Sequence, residues 1–215
     1  MHKIEFAVKR IFDILISACA LLFLWPFFLI AAIVIRFTSP GPAIFRQQRL
    51  GKDGMAFTMY KFRTMYQDAW KYEQRDNQGA TIIPKDDPRV TKFGKFLRKL
   101  SLDELPQLIN VLKGDMSLVG PRPDQIDQLQ YYTIEEKRKL SVKPGMTGIA
   151  QINGRNSIPW EQRKKFDLEY VENFSIYLDI KIILQTIPYV LFRRDIYVTE
   201  ISNIDINEQD NYREI

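Results

Sequence analysis

The sequence predicts an α+β protein that is mainly helical and is attached to a membrane near its N-terminus. Three observations support this fold class. Residues 14–35 carry no charge, two short apolar and aromatic runs flank a turn at residues 51–54, and apolar residues recur at helical spacing after Thr91. At 215 residues, the chain is long enough for one substantial domain with a hydrophobic core.

The N-terminal apolar segment has the length of a membrane helix, because its 22 uncharged residues would extend about 33 Å as a straight helix. Pro26 lies near its midpoint and is expected to break or kink that helix. Lys9 and Arg10 precede the segment and Arg36 follows it, and the positive-inside rule places such basic flanks in the cytoplasm. The sequence therefore favours a re-entrant helix-break-helix over residues 1–38, with a spanning helix as the alternative.

The segments that follow are shorter and mixed in type. The runs on either side of the Gly51–Gly54 turn predict a small β-hairpin. Residues 67–88 are polar and predict a surface helix or loop. From Thr91 to Leu100 the pattern predicts an amphipathic helix with three lysines on one face. Simple solvation and contact with anionic lipid or substrate are both open explanations of that basic face.

Helical periodicity resumes after Pro106 and is expected to end at Gly114. Residues 120–123 and 143–156 are rich in glycine and proline and predict loops. Charged and apolar residues alternate from Trp160 to Phe192, which predicts either an interfacial helix that lies on a bilayer or an amphipathic helix packed on the core. Neither alternative crosses the membrane, because charges and a proline interrupt the segment.

The domain organisation predicted from these patterns has three parts. Residues 1–38 form the membrane segment, residues 39–199 form a cytoplasmic domain with interfacial helices, and residues 200–215 form a polar acidic tail. The tail carries five acidic residues and one basic residue.

Composition restricts the chemistry that this chain can perform. His2 is the only histidine and Cys19 the only cysteine, which excludes an intrachain disulfide and argues against a His/Cys metal site and against Ser-His or Cys-His catalysis. The formal net charge is +5, and residues 36–63 contain six basic residues and one acid. A basic surface of this kind predicts contact with phosphates, of lipid head groups or of a substrate. Carboxylates and cations must therefore supply any catalysis.

The stretch LSLDELPQL, residues 100–108, places Asp103 and Glu104 side by side. One interpretation is structural, because Ser101 and Glu104 have the spacing of a helix capping box. Pro106 argues against it, since a proline past the first turn destabilises a helix. The alternative is a helix boundary just after the two acids, which would leave Asp103 exposed at a break in the helix. Adjacent residues on a helix point about 100° apart, so the two acids are expected to have different roles.

Basic residues that could converge on this pair are scattered along the chain. Arg122 lies between two prolines that stiffen its loop, and a planar guanidinium suits a phosphate; a surface ion pair with Asp124 is the alternative. The candidates are Lys61, Arg63, Arg98, Arg122 and Arg155. Cations around paired carboxylates suit phosphoryl transfer, in which cations and a divalent metal offset phosphate charge while a carboxylate acts as nucleophile or base.

Four stretches, in this order, resemble the bacterial sugar transferase family, the monotopic polyprenyl-phosphate phosphoglycosyl transferases. They are FRQQRLG, YKFRTM, DPRVTKFGKFLRKLSLDELPQLINVLKGDMSLVGPRP and VKPGMTGIAQINGRN. The resemblance runs from about Lys9 to about Leu191 and is most specific in its central block. With one N-terminal apolar segment, the chain is similar to the small, minimal-core members.

The resemblance implies transfer of a sugar 1-phosphate from a UDP-sugar to undecaprenyl phosphate at the cytoplasmic face of the bacterial inner membrane. This reaction begins the synthesis of O-antigen, capsule, exopolysaccharide or glycoprotein glycans. It implies a Mg²⁺ cofactor at Asp103 and Glu104, and a ping-pong mechanism in which Asp103 attacks the β-phosphate to form a phosphosugar-enzyme. Glu104 would bind metal or activate the lipid phosphate. The substrate-phosphate contacts of the family fall on Lys61, Arg98, Arg122 and Arg155.

The same resemblance implies a re-entrant membrane helix that breaks at Pro26, where Trp25 stands in the place of a serine common in small members. Phospholipid is an expected partner, nucleic acid is not, and a homo-oligomer is left open. Two other functional classes are open on the residues alone: a non-catalytic basic membrane-surface binding module, in which the acid pair caps a helix, and a hydrolase that uses paired carboxylates.

Overall fold

A computed structural model of the chain describes residues 2–72, 87–154 and 158–191. It begins with one long helix, α1, His2–Thr38, which continues through Pro26, so the helix break predicted there is not confirmed. Most of its apolar side chains face outward, and among the helices in the described part of the chain α1 alone is long and apolar enough to cross a membrane. The polar tail over residues 200–215 and the central part of the polar stretch predicted over residues 67–88 lie outside the described residues.

Both ends of α1 contact the same globular body. Near the N-terminus, the Lys9 ammonium binds the Asp179 carboxylate at 2.5 Å, and the Arg10 guanidinium binds the carbonyl oxygen of Val111 at 2.6 Å. Near the C-terminus, Arg63 donates to the carbonyl oxygen of Ser39 at 2.7 Å. The exposed apolar stretch of α1 lies between these two contacts.

The predicted β-hairpin is confirmed. Strands β1, Ile44–Leu50, and β2, Ala56–Phe62, pair antiparallel, with Ile44 opposite Phe62 and Leu50 opposite Ala56. The turn between them contains Asp53 and Gly54, both with positive φ, as tight turns of this kind require. The hairpin places Lys61 near the end of β2.

A second, parallel sheet lies in the region where the sequence predicted only loops. Its strands are β3, Ser117–Val119, and β4, Gly145–Thr147. Each has three residues, which is too short for a period-two pattern to be recognised. A Cβ on Gly145 would lie 2.1 Å from the backbone nitrogen of Gly120, so only glycine allows the two chains to approach this closely.

The described chain has five further α-helices: α2, Lys92–Lys99; α3, Gln107–Lys113; α4, Ile149–Ile152; α5, Trp160–Glu172; and α6, Ile176–Leu191. Its longest 3₁₀ helices are Ile126–Tyr131 and Glu136–Ser141, which follow the Arg122 loop. Helix α2 confirms the predicted amphipathic helix, and the Thr91 hydroxyl caps it by accepting from the Gly94 N–H at 2.9 Å. A Cβ on Gly94 would lie 2.1 Å from the Thr64 carbonyl oxygen, so α2 packs directly on the backbone that follows β2. Helix α3 ends at Gly114, as predicted, with φ of 98°.

Two hydrophobic clusters hold these elements together. One joins α1, the hairpin and α2 through Ala31, Ile35, Phe62 and Leu97. The other joins β3 to the three C-terminal helices through Val119, Ile149, Tyr170, Phe174 and Ile182. The last residues of β2 and β3, Phe62 and Val119, are therefore both anchored in hydrophobic clusters, and these two strands flank α3 in the chain.

Helix α6 confirms the alternative of an amphipathic helix packed on the core, and contact with a bilayer stays a prediction. Ile182 and Asp179 are buried against the core, which is the packed amphipathic helix. Its outer face carries exposed apolar side chains at helical spacing: Tyr177, Ile180, Leu184 and Ile187. This helix therefore packs on the core with one face and presents a second apolar face to its surroundings.

Candidate active site

The two acids lie in a break between helices, as Pro106 predicted. Helix α2 ends at Lys99, a short 3₁₀ turn spans Leu102–Glu104, and α3 begins after Pro106. Ser101 has φ of 54°, a left-handed conformation that costs a residue with a side chain about 1–2 kcal/mol. Its side chain makes no capping hydrogen bond to the turn that follows.

The capping-box interpretation of Ser101 and Glu104 is therefore wrong, because a left-handed residue does not present its hydroxyl to the turn as an N-cap does. Asp103 is half-buried rather than fully exposed. The chain thus holds both carboxylates at a strained junction, which is common at functional sites.

Two predicted cations bind Glu104 directly. The Lys61 ammonium lies 3.0 Å from Glu104 Oε1, and Arg122 Nη2 lies 3.2 Å from the same oxygen. Lys61 comes from β2 and Arg122 from the loop after β3, so three separate elements meet at one carboxylate. The side chains of Glu104, Lys61 and Arg122 are 13%, 18% and 30% exposed, which leaves the cluster open to a ligand.

The electrostatics of the two cations differ. Burial lowers the pKa of Lys61, and the attraction of Glu104 only partly offsets this. The Glu104 carboxylate raises the pKa of Arg122, although burial of Arg122 lowers it. Asp103 also favours the charged form of both cations. Arg122 is therefore a permanent positive charge at this site.

The loop that carries Arg122 is fixed on both sides. Gly120 N–H donates to the Thr147 carbonyl at 2.9 Å, and Gly145 N–H donates to the Pro121 carbonyl at 2.8 Å, which ties the loop to β4. The Arg122 N–H donates to Asp167 Oδ1 on α5 at 3.3 Å. The structure thus confirms the stiff loop that the two prolines predicted.

The other predicted cations have different surroundings. Arg98 Nε donates to the Thr64 hydroxyl at 2.9 Å, at the end of β2. Arg63 does not join the two acids but binds the Ser39 carbonyl at the end of α1, because the last carbonyls of a helix attract a cation. Arg155 lies outside the described residues.

A buried network beside the Arg122 loop could not be found from the sequence. Asp124, expected as an alternative partner of Arg122, binds the Lys139 ammonium at 2.7 Å, and Arg122 makes its ion pair with Glu104 instead. Lys139 also binds Asp167 at 2.7 Å. Burial raises the pKa of Asp167, whereas Lys139 and Tyr132 outweigh burial and lower the pKa of Asp124.

The two acids could hold a divalent metal only together with water and substrate oxygens. In the described ranges, no group of three or more histidine, cysteine, aspartate or glutamate side chains is arranged to hold a metal ion. Mg²⁺ is often bound by one or two carboxylates while water and substrate phosphates complete the coordination. Asp103 and Glu104 provide a donor set of that kind.

Comparison with known proteins agrees with the geometry. Residues 4–193 match the bacterial sugar transferase family. The chain belongs to that family. This sugar transferase is 46% identical to the uncharacterized sugar transferase EpsL of Bacillus subtilis over 192 residues, which cover 89% of this chain and 91% of EpsL.

Two longer relatives have names that state an activity. The sugar transferase is 45% identical over 188 residues to the UDP-glucose:undecaprenyl-phosphate glucose-1-phosphate transferase of Escherichia coli, covering 84% of this chain and 39% of the relative. It is 42% identical over 197 residues to the undecaprenyl-phosphate galactose phosphotransferase of Salmonella typhimurium, covering 87% and 41%. The chain spans about two fifths of these longer proteins. It is an enzyme of the same family, and its long apolar helix indicates association with a membrane.

Proposed function

We propose that this sugar transferase moves a sugar 1-phosphate from a UDP-sugar to undecaprenyl phosphate through a phosphosugar-aspartate intermediate. The reaction would begin the synthesis of a bacterial exopolysaccharide, capsule or related glycan. One observation carries the proposal: two cations from separate elements meet Glu104, next to Asp103, in a cluster that is partly open. The printed names of the two longer relatives support both the acceptor and the sugar 1-phosphate group.

In the first step, an oxygen of the Asp103 carboxylate attacks the β-phosphorus of the UDP-sugar. The bond between that phosphorus and the oxygen bridging to the α-phosphate breaks, and UMP leaves with the electron pair. In the second step, a phosphate oxygen of undecaprenyl phosphate attacks the same phosphorus. The acyl-phosphate bond breaks, Asp103 is regenerated, and an undecaprenyl diphosphosugar is formed.

Glu104 is the poorer nucleophile of the two acids. Its Oε1 already accepts from Lys61 and Arg122, which lowers the nucleophilicity of that oxygen and fixes its direction. We assign to Glu104 the orientation of both cations. Lys61 and Arg122 would then stabilise the negative charge on the transferred phosphoryl group and on the leaving UMP. Arg98 and Arg155 are further candidates for contacts with the substrate phosphates.

The cofactor proposed for this site is Mg²⁺, held by Asp103 and Glu104. When bound, it would neutralise charge on the diphosphate. The side chains of Lys61 and Arg122 already lie there, so the protein's own contribution is to orient the diphosphate against Asp103.

We also propose that α1 enters one leaflet and returns, with the change of direction at Pro26. A spanning helix would separate its ends by a hydrocarbon core of about 30 Å, whereas both ends of α1 contact one globular body. The outer apolar face of α6 would lie on the same membrane surface, so that the active site faces the cytoplasm at the inner membrane. Accessibility tags placed at both ends of residues 11–36 are expected to report cytoplasmic, and a periplasmic N-terminus would contradict this topology.

The reaction is tested by incubating the purified protein in nanodiscs with Mg²⁺ and a panel of UDP-sugars, and by measuring UMP release with and without undecaprenyl phosphate. We expect a stoichiometric burst of UMP without acceptor and turnover with it. Asp103→Asn should abolish both, because the amide is not a nucleophile, while Asp53→Asn in the hairpin turn serves as the matched control and should be fully active.

Three outcomes would contradict the proposal in different ways. UMP release at the normal rate by Asp103→Asn would exclude the aspartate intermediate. Turnover that does not depend on undecaprenyl phosphate would favour a hydrolase. Binding to anionic vesicles without UMP release from any donor would favour the non-catalytic membrane-surface module.

A further inference from the structure

The Lys139 cluster, formed by Lys139, Asp124, Asp167 and Tyr132, is a buried ion network beside the active site. The Lys139 ammonium lies 2.7 Å from Asp124 Oδ2 and 2.7 Å from Asp167 Oδ2. The Tyr132 hydroxyl donates to the same oxygen of Asp124. The side chains of Lys139 and Asp167 are each 3% exposed and that of Asp124 is 14% exposed, so Lys139 is almost wholly buried.

The two carboxylates of this cluster hold the Arg122 loop at two points. Asp124 belongs to the loop and lies two residues after Arg122. Asp167 lies on α5, and its second oxygen, Oδ1, accepts the backbone N–H of Arg122 at 3.3 Å. Lys139 therefore connects a side chain of the loop, that of Asp124, with the acceptor of the Arg122 backbone N–H.

Like charges make this arrangement dependent on Lys139. Both Oδ2 atoms approach one nitrogen, so the two carboxylates lie close together in a buried site. Without the ammonium they would repel each other strongly, because little water is present to screen them. Asp167 belongs to α5, whereas Asp124 belongs to the loop, whose end is held to β1 by the Leu50 N–H, 2.9 Å from the Asp124 carbonyl oxygen. The repulsion would therefore displace the loop around Arg122, between this contact and the contacts with β4.

We propose that Lys139 is a positioning residue for the transfer reaction. By holding Asp124 and Asp167 together, it fixes the Gly120–Asp124 loop so that the Arg122 guanidinium meets the substrate phosphates beside Glu104. This inference rests on the proposed function, since it assigns Arg122 to the phosphates of the nucleotide sugar.

Lys164 provides a matched control for Lys139. It is also a lysine whose side chain is 3% exposed, and it also binds two carboxylates, those of Glu136 and Glu161, each at 2.8 Å. Neither of these acids belongs to the Arg122 loop, and the Lys164 ammonium reaches the Lys139 cluster only through the Tyr132 ring, 5.9 Å from its centroid. Replacement of either lysine by methionine removes one buried cation, but only the replacement of Lys139 releases the loop.

The test is a double-mutant cycle of Lys139→Met with Arg122→Gln, measured as kcat/KM for UMP release. A displacement of about 1 Å at a binding group can lower the rate about 10²-fold, so Lys139→Met should lower kcat/KM about 10²-fold when Arg122 is present. In the Arg122→Gln background, the same change should lower it less than about threefold, because coupled residues are not additive. Lys164→Met should change kcat/KM by the same factor in both backgrounds.

Two further measurements keep the inference open to refutation. Tyr132→Phe removes one hydrogen bond to Asp124 and no charge, and it should lower kcat/KM about three- to tenfold, again only when Arg122 is present. Hydrogen exchange over Gly120–Asp124 should accelerate at least about tenfold in Lys139→Met and remain unchanged in Lys164→Met. Equal loss of activity in both Arg122 backgrounds, or unchanged exchange in the loop, would overturn the inference.

The same experiments separate this inference from the proposed function. If the wild-type protein released no UMP from any UDP-sugar, the proposed function would fail, and the role of Lys139 in that reaction would fail with it. The hydrogen exchange of the loop needs no substrate, so it would still show whether Lys139 holds Arg122. If the wild type reacts at a normal rate and the effects of Lys139→Met and Arg122→Gln on kcat/KM are additive, only the positioning role of Lys139 is overturned.

Discussion

Two ion clusters lie on either side of Arg122 and differ in charge and in exposure. The Glu104 cluster, formed by Glu104, Lys61 and Arg122, has two cations on one carboxylate and side chains 13–30% exposed. The Lys139 cluster has one cation on two carboxylates, with Lys139 3% exposed. The open cluster has an excess of positive charge, and the closed one has an excess of negative charge.

This difference suits the Glu104 cluster to bind a substrate phosphate and the Lys139 cluster to support the Arg122 loop. A phosphate brings negative charge, so the Glu104 cluster can accept it, whereas the Lys139 cluster would repel it, and two of its charged side chains, Lys139 and Asp167, are only 3% exposed. Buried ion pairs add little net stability when complete but cost much when one partner is removed. The open cluster should therefore respond to mutation mainly in activity, and the closed cluster in stability as well.

The largest expected effect on stability is that of Lys139→Met. Removing one partner of a buried ion pair leaves charges without compensation and costs about 3–5 kcal/mol. Lys61→Met should cost clearly less, because its side chain and that of Glu104 are partly solvated. Denaturant unfolding under identical conditions measures the unfolding free energy of both variants. Equal losses in Lys139→Met and Lys61→Met would remove the distinction between the two clusters.

Arg122→Lys should show the opposite pattern. The variant keeps the positive charge but loses the planar pair of donors, so we expect kcat/KM for UMP release to fall about 10²-fold. The melting temperature should change little, since the Arg122 side chain is 30% exposed. Arg138→Lys serves as the control and should keep full activity, because Arg138 pairs with Glu172, far in sequence from Asp103 and Glu104. A normal rate for Arg122→Lys would contradict the phosphate-binding role.

The open cluster was largely predictable from the sequence, and the closed cluster was not. Lys61, Arg122 and the acid pair stand out because prolines, paired charges and strand alternation mark them locally. Lys139, Asp124 and Asp167 lie 15 to 43 residues apart in the chain and carry no local pattern that separates them from solvated charges. Only the packing of α5 against the Arg122 loop brings them together.

The same distinction holds for the fold. The hairpin and α2 have turn residues and periodicity that can be recognised over eight or more residues. The β3–β4 pair has three residues in each strand, and its pairing depends on the close approach at Gly145. Arg63 lies two residues after Lys61, so strand alternation places the two side chains on the same face. The Arg63 guanidinium nevertheless donates to the Ser39 carbonyl at the end of α1, a contact between distant parts of the chain that a local pattern cannot predict.

A smaller effect on stability than that of Lys139→Met is expected at Glu136, which pairs with Lys164. The Glu136 side chain is 15% exposed and that of Lys164 is 3% exposed. Burial alone would raise the pKa of Glu136, but hydrogen bonds from Lys164 and Thr133 outweigh it and lower that pKa. The unfolded chain therefore takes up a proton near the usual value of 4.5 while the folded chain does so only at lower pH. Stability that is present above this interval is lost as the pH falls through it.

Glu136→Gln should remove that part of the acid dependence. We expect a shallower fall of the unfolding free energy below about pH 4.5 in this variant than in the wild type. Because other carboxylates titrate in the same range, the measured quantity is the difference between the two pH profiles. Parallel profiles would show that Lys164 does not hold the folded pKa of Glu136 down.

The smallest effect is expected at a pair where both partners are solvated. Arg138 Nη1 lies 3.0 Å from Glu172 Oε1, a distance as short as that between Lys61 and Glu104, but the two side chains are 54% and 47% exposed. Glu172→Gln should therefore lower the unfolding free energy by less than about 1 kcal/mol and leave UMP release unchanged. A larger loss would mean that distance, rather than burial, decides what an ion pair contributes in this protein, and the contrast between the Glu104 and Lys139 clusters would lose its physical basis.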